Sequence, residues 1–518
     1  MREHLKHAGV EHPSIWMHGV DMPACPSLAE DVDGDVCVIG AGIAGLTTAY
    51  LLAQEGKSVI VLDDGVIGGG MTQLTTAHLA SAIDDRYVEM ERLHGETGAR
   101  LAAQSHAAAI DRIEDIVQKE NIACDFTRLN GYLFLPPGEN PEFLDRELAA
   151  ARRAGLEGVT KIGRAPLPHF DTGPCLCFPR QGQFHPLKYL AALAAAVMRK
   201  DGRIYARTHA DQVKGGAAAR IKADRHIVTA KAVIVATNSP VVDRVAIHTK
   251  QAPYMTYVIG VKIPRDSVPE GLYWDTADPY HYVRLYKSAG ESKRDDFDTL
   301  IVGGEDHKTG QARDTEERHG RLEAWARDRF PDIEAIEFAW SGQVMETVDG
   351  LAFIGRNPLD DDNVFVVTGD SGMGMTHGTI AGQILTDLVM ARPNPWAELY
   401  DPSRKTIGAA GDYAKEALNM ARQYTDWLKP GDVSAAEEIP NEHGAILRQG
   451  LRKIAVYRDE RGIVHRRSAL CPHLGCIVHW NPTEKTWDCP CHGSRFDRYG
   501  QVLNGPANRN LEEHDGDG

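Results

Sequence analysis

Four residues in the last tenth of the chain have the types and spacing of a metal centre. Cys471-x-His473 and Cys489-x-x-His492 stand 15 residues apart within SALCPHLGCIVHWNPTEKTWDCPCHGSRFD. Two thiolates and two imidazoles suit either a tetrahedral zinc ion or a [2Fe–2S] cluster whose cysteines bind one iron and whose histidines bind the other. Structural zinc sites usually keep like ligands together, as C-x₂₋₄-C and H-x₃₋₅-H. Here the two kinds are interleaved, which favours the cluster. Neutral imidazoles in place of two thiolates make such a cluster less negative and give it a potential of about −150 to +300 mV. Cys476 and Cys491 are surplus to that ligand set.

A second chemistry is written near the other end. VIGAGIAGL sets Gly40, Gly42 and Gly45 in the order G-x-G-x-x-G, after the apolar run DVCVIG and at the start of IAGLTTAYLLAQEG, whose spacing is helical. Gly40 permits a tight turn, Gly42 lets backbone approach a pyrophosphate, and Gly45 allows helix and strand to pack closely. The phosphates then meet free N–H groups at the positive helix end. Asp63 ends the next strand, SVIVLDD, where a carboxylate takes the adenosine ribose hydroxyls. The motif alone does not separate FAD from a nicotinamide nucleotide.

Other residues carry weaker signals. In DPYHYVRLY, Tyr282, Arg284 and Tyr286 share one face of a strand and His281 takes the other. Arg284 could bind an anionic group there, or the row could be a solvated, salt-bridged face. His185 and His307 are minor candidates. Cys175 and Cys177 read as two residues on one side of an extended segment rather than half a metal site. Asp360 to Asp362 read as a solvated turn, because no further hard ligand surrounds them.

The elements that must position these residues follow from composition and pattern. The chain has 518 residues, 42% hydrophobic, with 57 basic and 73 acidic residues giving a net charge of −16. That is globular composition with material for about three structural units. An acidic balance without a basic cluster argues against a nucleic-acid surface. No apolar run long enough to span a membrane is present, and MREHLKHAGVEHPSIWMHG lacks the apolar core of a secretory signal, so the expected location is the cytoplasm. A helical region is expected over 86–120 and a strand at AVIVATN, 232–238. YMTYVIGVKI, YHYVRLY and TLIVGGE have strand patterns, and strand, glycine loop and helix return in VFVVTGDSGMGMTHGTIAGQILTDLVM. PGDVSAAEEIPNEHG reads as a linker or domain entry.

VCVIGAGIAGLTTAYLLAQEGKSVIVLDD, GGGMTQLTTAHLAS, WSGQVMETVDGLAFIGR and GDSGMGMTHGTIAGQIL together resemble the D-amino-acid oxidase and glycine oxidase family of flavoenzymes, over roughly residues 34–400. The resemblance implies FAD held by Gly40, Gly42, Gly45 and Asp63, by the loop carrying Thr72, Thr76 and His78, and by Gly372, Met373, Gly374, Met375 and Thr376 near the isoalloxazine ring. Some relatives attach the flavin covalently through a histidine in such a loop; His78 is the candidate here, and non-covalent binding is the expectation. The family also implies an active site between the nucleotide lobe and an antiparallel sheet, with an Arg or Tyr gripping a carboxylate, which points to Arg284, Tyr282 and His281. The C-terminal segment resembles Rieske domains. That likeness implies a disulfide between Cys476 and Cys491, a covering loop at LNGPAN, and a hydrogen bond from Ser494 to cluster sulfur. Phe496 stands where those relatives commonly have tyrosine, so the expected potential lies toward the lower part of the range.

The expected fold is an α/β FAD-binding (Rossmann-like) domain with an antiparallel-sheet substrate lobe, plus a small all-β Rieske domain. The boundaries are an N-terminal leader at 1–33, the FAD-binding domain at 34–245 and 336–400, the substrate lobe at 246–335, a linker helix at 401–430 and the Rieske domain at 431–518. The implied function is oxidation of a small amine or amino-acid-like molecule by hydride transfer to flavin. Single electrons then pass through the cluster, and exposed His473 and His492 hand them to an external protein or quinone. The alternatives are an oxidase using O2 with a structural cluster, and a non-catalytic redox sensor or electron carrier.

Overall fold

The computed structural model describes residues 12–241, 247–287 and 296–514. The strand Val32–Ile39 lies at the centre of an eight-stranded sheet. It pairs in parallel with Val59–Leu62 on one side and His226–Val235 on the other, and Val364–Thr368 continues the parallel run. Such strands are covered on both faces and are apolar throughout, as CVI and VIVL are. The helix Ile43–Gln54 crosses between the first two strands and packs against Gly374–Val389, the helix that follows the late glycine loop. Gly378 and Gly382 make that contact close. A Cβ on Gly382 would come within 2.6 Å of Thr47 Cγ2.

A nine-stranded sheet forms the second lobe, and it is wider than the 246–335 segment. Gln251–Pro264, Leu272–Trp274, His281–Tyr286 and Phe297–Lys308 form one half of it. Thr127–Phe134, Cys175–Gln183, His78–Leu79 and Ala335–Thr347 come from segments expected in the nucleotide domain. The correction has a physical reason: pairings such as Leu272–Trp274 on Gly131–Leu133 join residues more than a hundred positions apart, and no local pattern encodes them. The helical region expected at 86–120 is the helix Tyr87–Lys119, interrupted at Gly95 where φ is +70°. Cys175 is buried beside half-buried Cys177, and Asp360 to Asp362 are exposed, as the plain readings of both groups have it.

The helix Ala410–Gln423 and the short turn Tyr424–Trp427 lead to the last unit. There a three-stranded sheet, His443–Gln449, Arg452–Arg458 and Val464–Ser468, precedes a four-stranded one running from His479 to Asn504. All pairings in both are antiparallel. No helix among the described residues is long and apolar enough to cross a membrane.

Candidate active site and cluster loops

The glycine motif builds a cradle. Gly40 has φ of +105°, and a Cβ there would lie 2.3 Å from the carbonyl oxygen of Ala236. A Cβ on Gly45 would lie 1.8 Å from the carbonyl oxygen of Gly40, so only glycine lets the helix start against the strand. Gly42 is the helix N-cap and brings no capping side chain of its own; the Ile43 N–H is taken by the Thr72 hydroxyl at 3.1 Å, beside the rest of the positive helix end that an anion would meet. Beside it the carboxylate of Asp63 accepts the N–H groups of Ala41 and Gly65 at 2.6 and 2.9 Å. Burial, then the charge of Asp64, push Asp63 up to about 7. A carboxyl so placed gains from hydroxyl donors, which is what a ribose offers.

These residues open into a cavity of about 440 Å³, within the range of cofactor and ligand sites. Thr72, Thr76 and His78 line it, as do Gly372, Met373, Gly374 and Met375. Thr376 does not: its hydroxyl donates to the Met373 carbonyl and pairs with His106 at 2.9 Å. His78 shows its ring to the cavity, and burial followed by the charge of Arg284 pull it down to about 3, so the imidazole is neutral.

The loop carrying Thr72 to His78 is held by five successive carbonyls, each taken by a buried side chain. Ser14 donates to Gln73, Trp340 to Leu74 at 2.8 Å, Trp16 to Thr75 at 2.6 Å, and Arg284 to Thr76 and Ala77 at 3.0 and 2.9 Å. Sequence reasoning missed Ser14 and Trp16, which lie in a stretch without periodicity. A tryptophan in an otherwise polar leader was the available signal.

Arg284 therefore takes a different place from the one expected. It is 1% exposed, does not line the cavity, and spends its guanidinium on the loop and on the Phe184 carbonyl at 3.3 Å. His281 is also away from the cavity, bonded to Asp275 at 3.1 Å and stacked on Trp325. Of the three candidates only Tyr282 reaches the wall, with its hydroxyl 2.7 Å from that of Thr256. His185 caps the helix Pro186–Arg199, and His307 pairs with the Tyr257 hydroxyl at 3.0 Å, so both serve structure.

In the C-terminal unit, the four proposed ligands come together on two loops. The sulfurs of Cys471 and Cys489 are within hydrogen-bond reach of one another. The rings of His473 and His492 lie 4.9 Å apart. His492 Nε2 is buried without a hydrogen-bond partner among the described residues, so the surrounding fold leaves this imidazole uncommitted at that atom. Backbone N–H groups of His473 and Leu474 point at the Cys471 sulfur and those of Cys491 and His492 at Cys489, the donor set that stabilises a negative cluster. Ser494 Oγ lies beside Cys471 and accepts the Ala507 N–H at 3.0 Å, tying the 503–508 loop over the site. Cys476 and Cys491 are joined as a disulfide across the two loops.

The two sites adjoin. Gln343, on the cavity wall, donates from Nε2 to the Gly493 carbonyl in the cluster loop at 2.8 Å. Val502 to Gly505, Ala507 and Asn508 of the C-terminal unit form part of the same wall. His248 packs edge-on against His473 and His492 at 4.9 and 5.9 Å between ring centres. His492 is 2% exposed, so the expectation of two exposed imidazoles fails: both rings meet the flavin-binding domain instead.

Comparison with known proteins agrees with this pairing. The family model described as FAD dependent oxidoreductase matches residues 35–388. The chain belongs to this family. In this FAD-dependent oxidoreductase a Rieske [2Fe-2S] domain follows, matching residues 429–515. The chain is 33% identical, over 98% of its length and 99% of the relative's, to "Putative Rieske 2Fe-2S iron-sulfur protein YhfW" of Bacillus subtilis. It is 25% identical to gamma-glutamylputrescine oxidoreductase of Escherichia coli, over 70% of this chain and 85% of that one. Among solved structures it resembles glycine oxidase from Geobacillus kaustophilus, with a TM-score of 0.61 and 18% identity, covering 72% of this chain and 99% of the other. The oxidoreductase thus has FAD and a [2Fe–2S] cluster as its cofactors.

Proposed function

We propose that the protein is a dehydrogenase that oxidises a small amine or amino-acid-like molecule and delivers the electrons one at a time, through the Rieske site, to an external acceptor. The observation that carries this reading is the contact between the sites, where the Gly493 loop is bonded to Gln343 on the cavity wall. When bound, flavin supplies two-electron acceptance from a C–H bond and the cluster supplies one-electron carriage. The chain's own residues do the rest. The 73–77 carbonyl clamp holds the cofactor loop, the 502–508 segment forms part of the cavity wall, and His248 seats the two imidazole ligands against the flavin-binding domain. A cluster serving structure alone needs no such seat. Likeness to an oxidoreductase whose name specifies a putrescine derivative supports an amine among the substrates.

The test is anaerobic addition of amines, amino acids and hydroxy acids, following flavin bleaching and the electron paramagnetic resonance signal of the reduced cluster. Bleaching followed by the cluster signal is expected. Bleaching with no cluster signal, and peroxide in step with substrate once air is admitted, would assign an oxidase instead.

A further inference from the structure

The cavity has an unusual charge balance. Asp63, Asp64, Asp84 and Asp370 line the cavity, whereas among the described residues no lysine or arginine does. Asp84 and Asp370 lie against the late glycine turn. A Cβ on Gly372 would come 2.1 Å from Asp84 Oδ2, and one on Gly374 would come 2.7 Å from Asp370 Oδ2. Tyr280 donates to Asp84 at 3.3 Å from the same wall. Behind them stand three more acids, Asp85, Glu346 and Asp306.

The charges of Arg86 and Arg318 reach Asp84 and Asp306 in part, but their hydrogen bonds go elsewhere. Arg86 gives its hydrogen bonds to the carbonyls of Ile83, Asp84 and Asp275, and Arg318 gives its own to Glu305, Asp306 and the Asp314 carboxylate. Arg284, the residue expected to grip a carboxylate, is spent on the cofactor loop. Burial pushes Asp370 up to about 6, with no cation beside it to oppose the shift, and pushes Asp306 up to about 7 even with the Arg318 charge pulling the other way. A separate observation points to the same ligand. Gln343 is 2% exposed and lines the cavity, and its Oε1 has no hydrogen-bond partner among the described residues, so a buried acceptor waits for an N–H donor.

We propose that the substrate is a cationic amine whose reacting carbon carries no carboxylate, its ammonium held by Asp84 and Asp370 with Gln343 as a further acceptor. An α-carboxylate would enter a buried site already crowded with its own charge and find no basic partner. The inference rests on the flavin-dependent reading above and narrows its substrate to one of the two classes.

The test compares matched ligands on the anaerobic holoenzyme, read by perturbation of the flavin absorption band so that no turnover is needed. n-Butylamine is set against D- and L-norvaline, which add only an α-carboxylate, and against butyrate, which reverses the charge. Butylamine is expected to bind at least about tenfold more tightly than either norvaline, with butyrate not competing. Asp84→Asn should weaken butylamine about tenfold or more with flavin content and cluster signal unchanged. If that variant fails to hold flavin, Asp370→Asn and the wild-type ligand series decide. Norvaline binding as tightly as butylamine, no perturbation by any ligand, or butylamine affinity indifferent to loss of the carboxylates would overturn the proposal. A protein that binds butylamine but is never bleached by any substrate would instead sink the dehydrogenase reading and leave the recognition intact.

Discussion

Arg284 offers a sharp choice between two roles. If it met substrate, Arg284→Met would lower affinity for carboxylate ligands and leave FAD in place. The structure gives the opposite outcome. Nη1 donates to the Thr76 and Ala77 carbonyls at 3.0 and 2.9 Å in a site only 1% exposed. Methionine fills much of the volume and donates nothing, so the Thr76 and Ala77 carbonyls of the loop, and the Phe184 carbonyl beside them, lose their donor at about 1–3 kcal/mol for each one left buried. Part of this is offset, because the variant no longer buries a guanidinium that burial has already pulled down to about 9. A net cost of about 2 kcal/mol against the FAD-ready loop corresponds to roughly 30-fold weaker FAD binding. Flavin content after dialysis, and a titration of the apoprotein with FAD, measure it directly. The variant should also bind butylamine normally once loaded. Wild-type FAD retention combined with selective loss of norvaline binding would refute the assignment.

Cys489→Ser should abolish the reduced-cluster resonance while substrate still bleaches the flavin, because Cys489 lies outside the cavity; loss of bleaching in a folded, flavin-loaded variant would break the division of labour. The disulfide closes a loop with a sequence separation of 15, so replacing Cys476 and Cys491 by alanine should destabilise the cluster loops by about 3 kcal/mol, seen as loss of cluster colour at lower denaturant. At Asp349 burial alone would push the carboxyl up, but the charge and bonds of Arg404, with Thr406, hold it at about 2 against an ordinary 3.8. A lowered carboxylate contributes stability that is complete above about pH 4 and lost as pH falls toward 2, here about 2–3 kcal/mol. Arg404→Met should cost about 3–5 kcal/mol at neutral pH and remove that acid dependence, both visible in urea midpoints measured against pH.

The parts of the site legible in the sequence are those whose geometry is local. Gly40, Gly42 and Gly45 act within one turn, and Cys471-x-His473 and Cys489-x-x-His492 each lie on one loop, so spacing carried the chemistry. Arg284 shows where this ends. Alternation along His281–Tyr286 places Tyr282 and Arg284 on one side of a strand, yet that side faces the cavity at Tyr282 and the Thr76–Ala77 backbone two residues later. What a face meets depends on a loop some 200 positions away. The second sheet was too narrow in the sequence for the same reason, since Thr127–Phe134 and Cys175–Gln183 pair with each other and with Leu272–Trp274 only after folding. The acidic wall was illegible as well: Asp84 and Asp370 are unremarkable aspartates until Gly372 and Gly374 bring them to one cavity.

A cluster seated by its imidazoles on the flavin-binding domain is well placed to receive electrons, and on the proposed routing it must still release them. Either the domain swings away, or electrons leave by another edge of the seated cluster. The seat is extensive: Gln343 to Gly493, Ser341 to Glu484 at 2.7 Å, Gln311 to the Pro490 carbonyl at 3.0 Å and His479 to the Gly310 carbonyl at 2.7 Å all cross it. Breaking four such bonds in one motion is costly, whereas Pro472 and Leu474, flanking ligand His473, are exposed where they stand. Release through that edge is therefore the expectation, and a covalent lock tests it. A Cβ at position 505 would lie 3.9 Å from Ser239 Cβ, inside the 3.5–4.5 Å that a disulfide needs. The Ser239→Cys, Gly505→Cys protein should reduce a one-electron acceptor at the rate of either single-cysteine variant. A rate that collapses only when both cysteines are present and oxidised would show that the domain has to leave its seat.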